Sequence, residues 1–147
     1  MNTFKEIKSI LKKDISNYPS IKLAVVGDTA TQLLCTAIRG TGALRGYKID
    51  LFEAEYNQVE RQFMDPTSDL YQFDADFIVV FQSTHKLGEY HSALSLEQQE
   101  NLADERLQFV AGICSNPALV GKKIIYFNYP EIEDTVFGRY GFWKLRQ

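Results

Sequence analysis

Ile21-Lys22-Leu23-Ala24-Val25-Val26-Gly27-Asp28-Thr29-Ala30-Thr31-Gln32-Leu33-Leu34 reads as an apolar run, a glycine turn and the opening of a striped helix, in that order. Ile21 to Val26 is short, mostly apolar and rich in β-branched residues, the pattern of a central parallel strand covered on both faces. From Ala30 onward Leu33, Leu34, Ala37 and Ile38 recur at helical spacing. A strand that feeds a helix through a glycine leaves several backbone N–H groups free at the edge of a parallel sheet. There the helix dipole favours an anion or a developing oxyanion. The hexapeptide Gly27 to Gln32 is therefore where a site belongs.

Working outward, Thr3-Phe4-Lys5-Glu6 matches a capping box. Phe4, Ile7, Leu11 and Ile15 then make a narrow apolar stripe, which predicts a helix within residues 1–19 that packs on the domain and ends at Asn17 and Pro19. Gly40, Gly42 and Gly46 offer places for the second helix to end. Tyr47 to Ala54 reads as strand two. Gln58 to Met64 reads as a short helix, halted before Asp65-Pro66 because proline disfavours the α region for the residue ahead of it. A loop or helical turn follows through Leu70 to Phe73. Phe77 to Phe81, wholly apolar, belongs at the sheet centre as strand three. A long helix from about Leu96 to Cys114 places Leu102, Phe109, Val110 and Ile113 on one side and Glu97, Glu100, Asp104 and Gln108 on the other. Lys123 to Phe127 is strand four, broken by Asn128-Tyr129-Pro130. The crossover rule turns this order into one three-layer α/β domain over residues 1–147, with a doubly wound, mostly parallel sheet.

Composition narrows the function. A chain of 147 residues buries roughly 70% of the surface its unfolded form exposes, enough for a real core. Its 45% hydrophobic and 24% charged residues are those of an ordinary globular protein. A net charge of −3 with interspersed signs gives no broad positive field for nucleic acid or an anionic membrane surface. The apolar runs fall far short of the roughly 20 residues of a membrane helix, and the N-terminus lacks the apolar block of a secretory signal. Cys35 and Cys114 fall within apolar helical patterns and read as reduced core thiols of a cytoplasmic protein. With His85 and His91 the only histidines, no zinc-like spacing occurs, and no metal site or cofactor is expected in this chain.

Ligands of such sheets sit beyond the carboxyl ends of the strands. The loops there carry Asp28, Thr29 and Thr31; Glu55, Tyr56, Asn57 and Gln58; Gln82, Ser83, Thr84 and His85; and Asn128 and Tyr129. Two readings of the turn are open. Thr29 can act as a nucleophile whose own N–H helps to hold an oxyanion. Alternatively Asp28 or Thr29 is the N-cap of the second helix. His85 can be a general base or an oxyanion donor, or a plain hydrogen-bonding residue of a polar loop. Tyr126, Phe127 and Tyr129 either line a pocket for an acyl or pantetheine chain or pack as core and rim. Asp74 and Asp76 lie at the amino end of strand three and read as turn chemistry. No phosphate loop with lysine, dinucleotide fingerprint or Asp-x-Asp phosphatase motif is present.

Val26 to Leu34, Phe52 to Gln58, Asp65 to Phe73 and Phe127-Asn128-Tyr129-Pro130-Glu131-Ile132 together resemble the N-terminal region of FkbH-like proteins, HAD-superfamily subfamily IIIC phosphatases. The resemblance covers nearly the whole chain. It implies a flavodoxin-like, SGNH-hydrolase-like domain, followed in the full-length family by a Mg-dependent HAD phosphatase domain that opens with Asp-x-Asp-x-Thr. That motif is absent here, so the resemblance implies a fragment of a longer protein or a truncated gene product, ending at Trp143-Lys144-Leu145-Arg146-Gln147 before the later strands. FkbH-like enzymes process a phosphorylated three-carbon acyl donor and deliver its glyceryl group to an acyl carrier protein. The Gly-Asp-Ser nucleophile block of SGNH hydrolases falls on Gly27-Asp28-Thr29, with threonine for serine. The SGNH glycine after strand two falls roughly on Asn57, and the Gly-x-Asn-Asp block falls on Ser83-Thr84-His85-Lys86. His85 then stands where the oxyanion-binding asparagine would be, and nothing matches the Asp-x-x-His block that supplies the base.

The leading expectation is an accessory module that holds an acyl or phosphopantetheine-linked group, or its carrier protein, for the HAD domain of the same protein. Gly27, Asp28, Thr31, Gln32, Asn57, Gln82, Ser83, Thr84 and Asn128 would bind the ligand, and Mg would belong to the absent domain. One alternative is an active esterase or acyltransferase that uses Thr29, with His85 and Gln82 near the oxyanion. Another is a structural or dimerisation domain.

Overall fold

The register of four parallel strands positions everything else. A computed structural model describes residues 3–130. In it α1 (Phe4–Ile10), β1 (Ser20–Gly27), α2 (Gln32–Leu44), β2 (Lys48–Glu53), α3 (Val59–Met64), α4 (Asp69–Phe73), β3 (Phe77–Phe81), α5 (Thr84–Ala93), α6 (Leu96–Ser115), a 3-10 turn (Pro117–Leu119) and β4 (Lys123–Tyr126) follow one another. The strand order is β2-β1-β3-β4. Every neighbouring pair is parallel, with Ala24 opposite both Phe52 and Ile78, and Val80 opposite Tyr126.

Alternation along the central strands sends side chains to two separate cores. Ala24 and Val26 of β1 and Ile78 and Val80 of β3 meet Val59, Phe63, Leu70 and Ile113, so α3, α4 and α6 cover that face. Val25 and Val79 meet Cys35 with Leu34 and Ile38, so α2 covers the other. Right-handed crossovers require this split. The chain leaves β1 toward β2 on one side and returns past β1 to β3 and β4 on the other. Burying each such aliphatic side chain stabilises the fold by roughly 1.5–3 kcal/mol, which makes the β1–β3 pair its centre of gravity.

Several elements are shorter or longer than the residue pattern predicts. The Thr3–Glu6 capping box forms, with the Thr3 N–H donating to Glu6 Oε2 at 2.8 Å. Yet α1 stops at Ile10, so Ile15 lies beyond the helix its stripe predicts. Asp14 takes the Ser16 N–H at 2.9 Å, a local turn that competes with helix continuation. α1 packs on α2, where a Cβ at Gly40 would lie 2.3 Å from Ile7 Cγ2. α5 occupies a stretch that reads as a polar loop. It has no buried residue, hence no stripe to betray it. Cys35 is buried as expected, whereas Cys114 is exposed, one residue round the helix from buried Ile113. Asp74 adopts a left-handed φ of 54° and pairs with Lys122, while Asp76 Oδ2 accepts the Lys22 N–H at 3.1 Å.

Candidate ligand site at the carboxyl edge of the sheet

At the point where the chain's direction of winding reverses, between β1 and β3, Asp28 extends the ladder by one bond. Its N–H donates to the Phe81 carbonyl at 3.2 Å. Its carboxylate then accepts the Ser83 N–H, at 2.9 Å to Oδ1 and 3.1 Å to Oδ2. The residue is only 8% exposed. Burial pushes its carboxyl above the ordinary carboxylate range, opposed first by the Ser83 N–H and then by the Lys86 charge.

The expected helix cap is therefore elsewhere. α2 begins at Gln32, and its N-cap is Thr31, with no side-chain capping bond. The Thr31 hydroxyl donates instead to Glu53 Oε1 at 2.6 Å and ties the turn to the end of β2. Both capping-type side chains are engaged across the edge of the sheet, Asp28 by the Ser83 N–H just after β3 and Thr31 by the Glu53 carboxylate at the end of β2. Gly27 is required by this closeness. A Cβ there would meet Thr31 Cγ2 at 2.8 Å and the Phe81 carbonyl at 3.2 Å.

After β3, Gln82 is 9% exposed and its Oε1 accepts two hydroxyls, Tyr126 at 2.6 Å and Tyr129 at 3.2 Å. With Oε1 so held, the amide N–H2 is left for the cavity. Burial and the Tyr126 bond push the Tyr129 hydroxyl well above its ordinary value, so it stays protonated. Asp28, Gln82 and Tyr129 thus line a cavity of about 780 Å³, walled by Asn57, Glu60 and Arg61, by Lys86 and Tyr90 of α5, and by Arg106 of α6. The Arg106 Nη2 lies 3.2 Å from Glu60 Oε1, and its Nε is buried without a hydrogen-bond partner. Lys86 Nζ donates to Asn57 Oδ1 at 3.3 Å and sits 4.1 Å from the Tyr56 ring centroid.

Residues 22–145 match the family described as FkbH, N-terminal domain. The chain belongs to the FkbH N-terminal domain family. Among solved structures it is similar, at 53% identity and a TM-score of 0.91, to the N-terminal part of a Bacteroides fragilis protein containing a phosphatase domain, complexed with Mg. That likeness covers 100% of this chain and 38% of the other. No curated protein matches the chain.

Of the residues expected to bind a ligand in this FkbH domain, Asp28, Asn57 and Gln82 line the cavity. Asn57 has a φ of 59°, the left-handed region that asparagine shares with glycine. Gly27, Thr31 and Ser83 build its support, Ser83 as the N-cap of α5. Thr84 turns away, its hydroxyl donating to the Pro130 carbonyl at 3.2 Å. Gln32 and Asn128 are exposed and outside the lining. Half-buried Thr29 and exposed His85 are outside it too. Glu131, Ile132 and the terminal Trp143 to Gln147 lie outside the described residues. Neither Arg106 nor Lys86, which the sequence places only at the end of the Ser83-Thr84-His85-Lys86 block, is marked as a ligand-binding residue, because nothing in a mixed-charge stretch distinguishes a cavity-facing cation from a solvated one.

Among the described residues no three His, Cys, Asp or Glu side chains converge as a metal would need, and no helix is long and apolar enough to cross a membrane.

Proposed function

We propose that this FkbH N-terminal domain is an accessory module of a longer, phosphatase-containing protein. It holds an acyl or phosphopantetheine-linked group, or the acyl carrier protein that bears it, for a HAD-type domain of the same protein. The carrying observation is the cavity at the β1–β3 switch point, which presents fixed hydrogen-bonding groups from Asp28, Gln82 and Tyr129 while Thr29 and His85 stand outside its lining. Nucleophilic catalysis needs a hydroxyl and a base within hydrogen-bond reach of each other and of the bound carbonyl. Holding a ligand needs only shape and a few oriented polar groups. Mg and phosphoryl chemistry fall to the HAD domain, a reading supported by the similar Bacteroides fragilis protein, whose N-terminal part containing a phosphatase domain is complexed with Mg.

Calorimetric titration of the chain with phosphopantetheine, pantetheine and acyl carrier protein tests this. Saturable heat from at least one of them is expected. None at millimolar small ligand, nor with the carrier, removes the reading.

A further inference from the structure

We propose that the layer formed by α1 and α2 is a docking face for the acidic surface of a partner protein, separate from the cavity and independent of the holding role.

Along the chain the two signs of charge are interspersed, and the fold sorts them. Lys5, Lys8, Lys12 and Lys13 come from α1 and the turn after it, Arg39 from α2 and Arg45 from the C-cap of α2. All six are exposed, and among the described residues none takes part in an ion pair. α1 is seated on α2 where Ile7 meets Gly40, so the six charges share one layer of the molecule.

The carboxylates of these two segments, Glu6 and Asp14, are each engaged by backbone. Glu6 accepts the Thr3 N–H at 2.8 Å, and Asp14 accepts the Ser16 N–H at 2.9 Å. Six cations against two carboxylates give the layer +4, so the rest of a chain of net charge −3 carries −7. α6, which covers the other face of the sheet, shows the opposite sign: Glu97, Glu100, Asp104 and Glu105 stand against Arg106 alone. Like charges gathered in one layer repel one another, and nothing within the described fold offsets that repulsion. Carboxylates on a partner would relieve it and would steer the encounter to this side of the molecule.

A bilayer matches the layer less well. An interfacial helix sinks an apolar face between lipid headgroups, whereas α1 turns Ile7 onto Gly40 and carries the Lys8 ammonium 4.9 Å from the Phe4 ring centroid. A nucleic acid is gripped along a run of phosphates, and here the positive field ends with two helices on an otherwise acidic chain. A compact acidic patch on a protein fits both the sign and the extent.

The test is fluorescence anisotropy of a labelled polyglutamate peptide titrated with the full 147-residue chain, each variant checked for folding by circular dichroism. Saturable binding is expected at low salt, weakening as ionic strength rises to the physiological range, where the Debye length falls to about 8 Å. Lys5→Glu with Lys12→Glu should weaken binding at least about tenfold, because each reversal turns an attraction into a repulsion. The neutral pair Lys5→Gln with Lys12→Gln should give an intermediate loss. Lys48→Glu with Lys123→Glu changes the net charge equally but lies on the edge strands β2 and β4, and should weaken binding by less than about threefold. Phosphatidylglycerol vesicles and single-stranded DNA should bind more weakly than the peptide. Absence of saturable peptide binding, equal losses in the two reversed pairs, or tighter capture of vesicles or DNA overturns the docking face. None of these outcomes bears on what the cavity holds.

Discussion

Asp28 and Ser83 are tied across the carboxyl edge of the sheet: the carboxylate that ends β1 accepts the backbone N–H that opens α5, 2.9 Å and 3.1 Å from its two oxygens. This bond closes the β1–β3 switch point and sets the floor of the cavity. Asp28→Ala leaves a part-buried N–H without an acceptor and is expected to cost about 1–3 kcal/mol in urea unfolding. Asp28 also gives stability a pH dependence. Its carboxyl titrates above the unfolded value, so the folded state binds the proton more tightly. The contribution is full below the unfolded pKa and is lost as pH rises through the raised folded one. Relative to Asp28→Asn, wild type should lose stability over that window. A difference that does not change with pH would refute the buried-carboxylate account.

Gly27 and Thr31 make a second, coupled pair. Gly27→Ala drives a methyl against both Thr31 Cγ2 and the Phe81 carbonyl, an overpacking expected to cost about 1–3 kcal/mol. Thr31→Ser removes the first contact but not the backbone one, and it keeps the hydroxyl for Glu53. The double variant should therefore recover part of the loss, a positive coupling in a double-mutant cycle. Strict additivity would show that the clash is relieved elsewhere.

The sheet was legible because its signal is burial. Val25, Val26, Val79 and Val80 sit at the strand centre, and apolar runs of that kind have few other uses. The helix order then settled the winding. Two kinds of feature were not legible. α5 buries nothing, so Thr84 to Ala93 has no periodicity to read. Asp28 and Thr31 have the chemistry of helix caps, and only three-dimensional proximity shows that Ser83 and Glu53 claim them first. Cys114 follows Ile113 in an apolar pattern, yet the 100° step between helical neighbours turns it outward.

Gly40 seats α1. A Cβ there would lie 2.6 Å from the Ile7 carbonyl oxygen as well as 2.3 Å from its side chain, and backbone cannot give way cheaply. Gly40→Ala should release residues 4–10 while the sheet stays folded. Hydrogen exchange should show lost protection in α1 and unchanged protection in β1 and β3; global unfolding would mean that α1 is integral to the core.

Thr29 lies outside the cavity lining, so it should contribute nothing to hydrolysis by this chain. Release of p-nitrophenol from short acyl esters is expected at one rate for wild type and Thr29→Ala. A rate that falls tenfold or more in the variant would restore the esterase reading.

The two thiols should part company in a labelling experiment. Cys35 is buried, and desolvation together with the Glu53 charge pushes its thiol up to about 11. The thiolate is the reactive form, so at pH 8 Cys35 is both shielded and protonated. Cys114 is exposed on α6. Iodoacetamide on the native chain should modify Cys114 alone, Cys114→Ser should abolish native labelling, and the second equivalent should react only in denaturant. Labelling of Cys35 under native conditions at the rate of Cys114 would mean that α2 opens from the sheet far more readily than its packing on Val25 and Val79 allows.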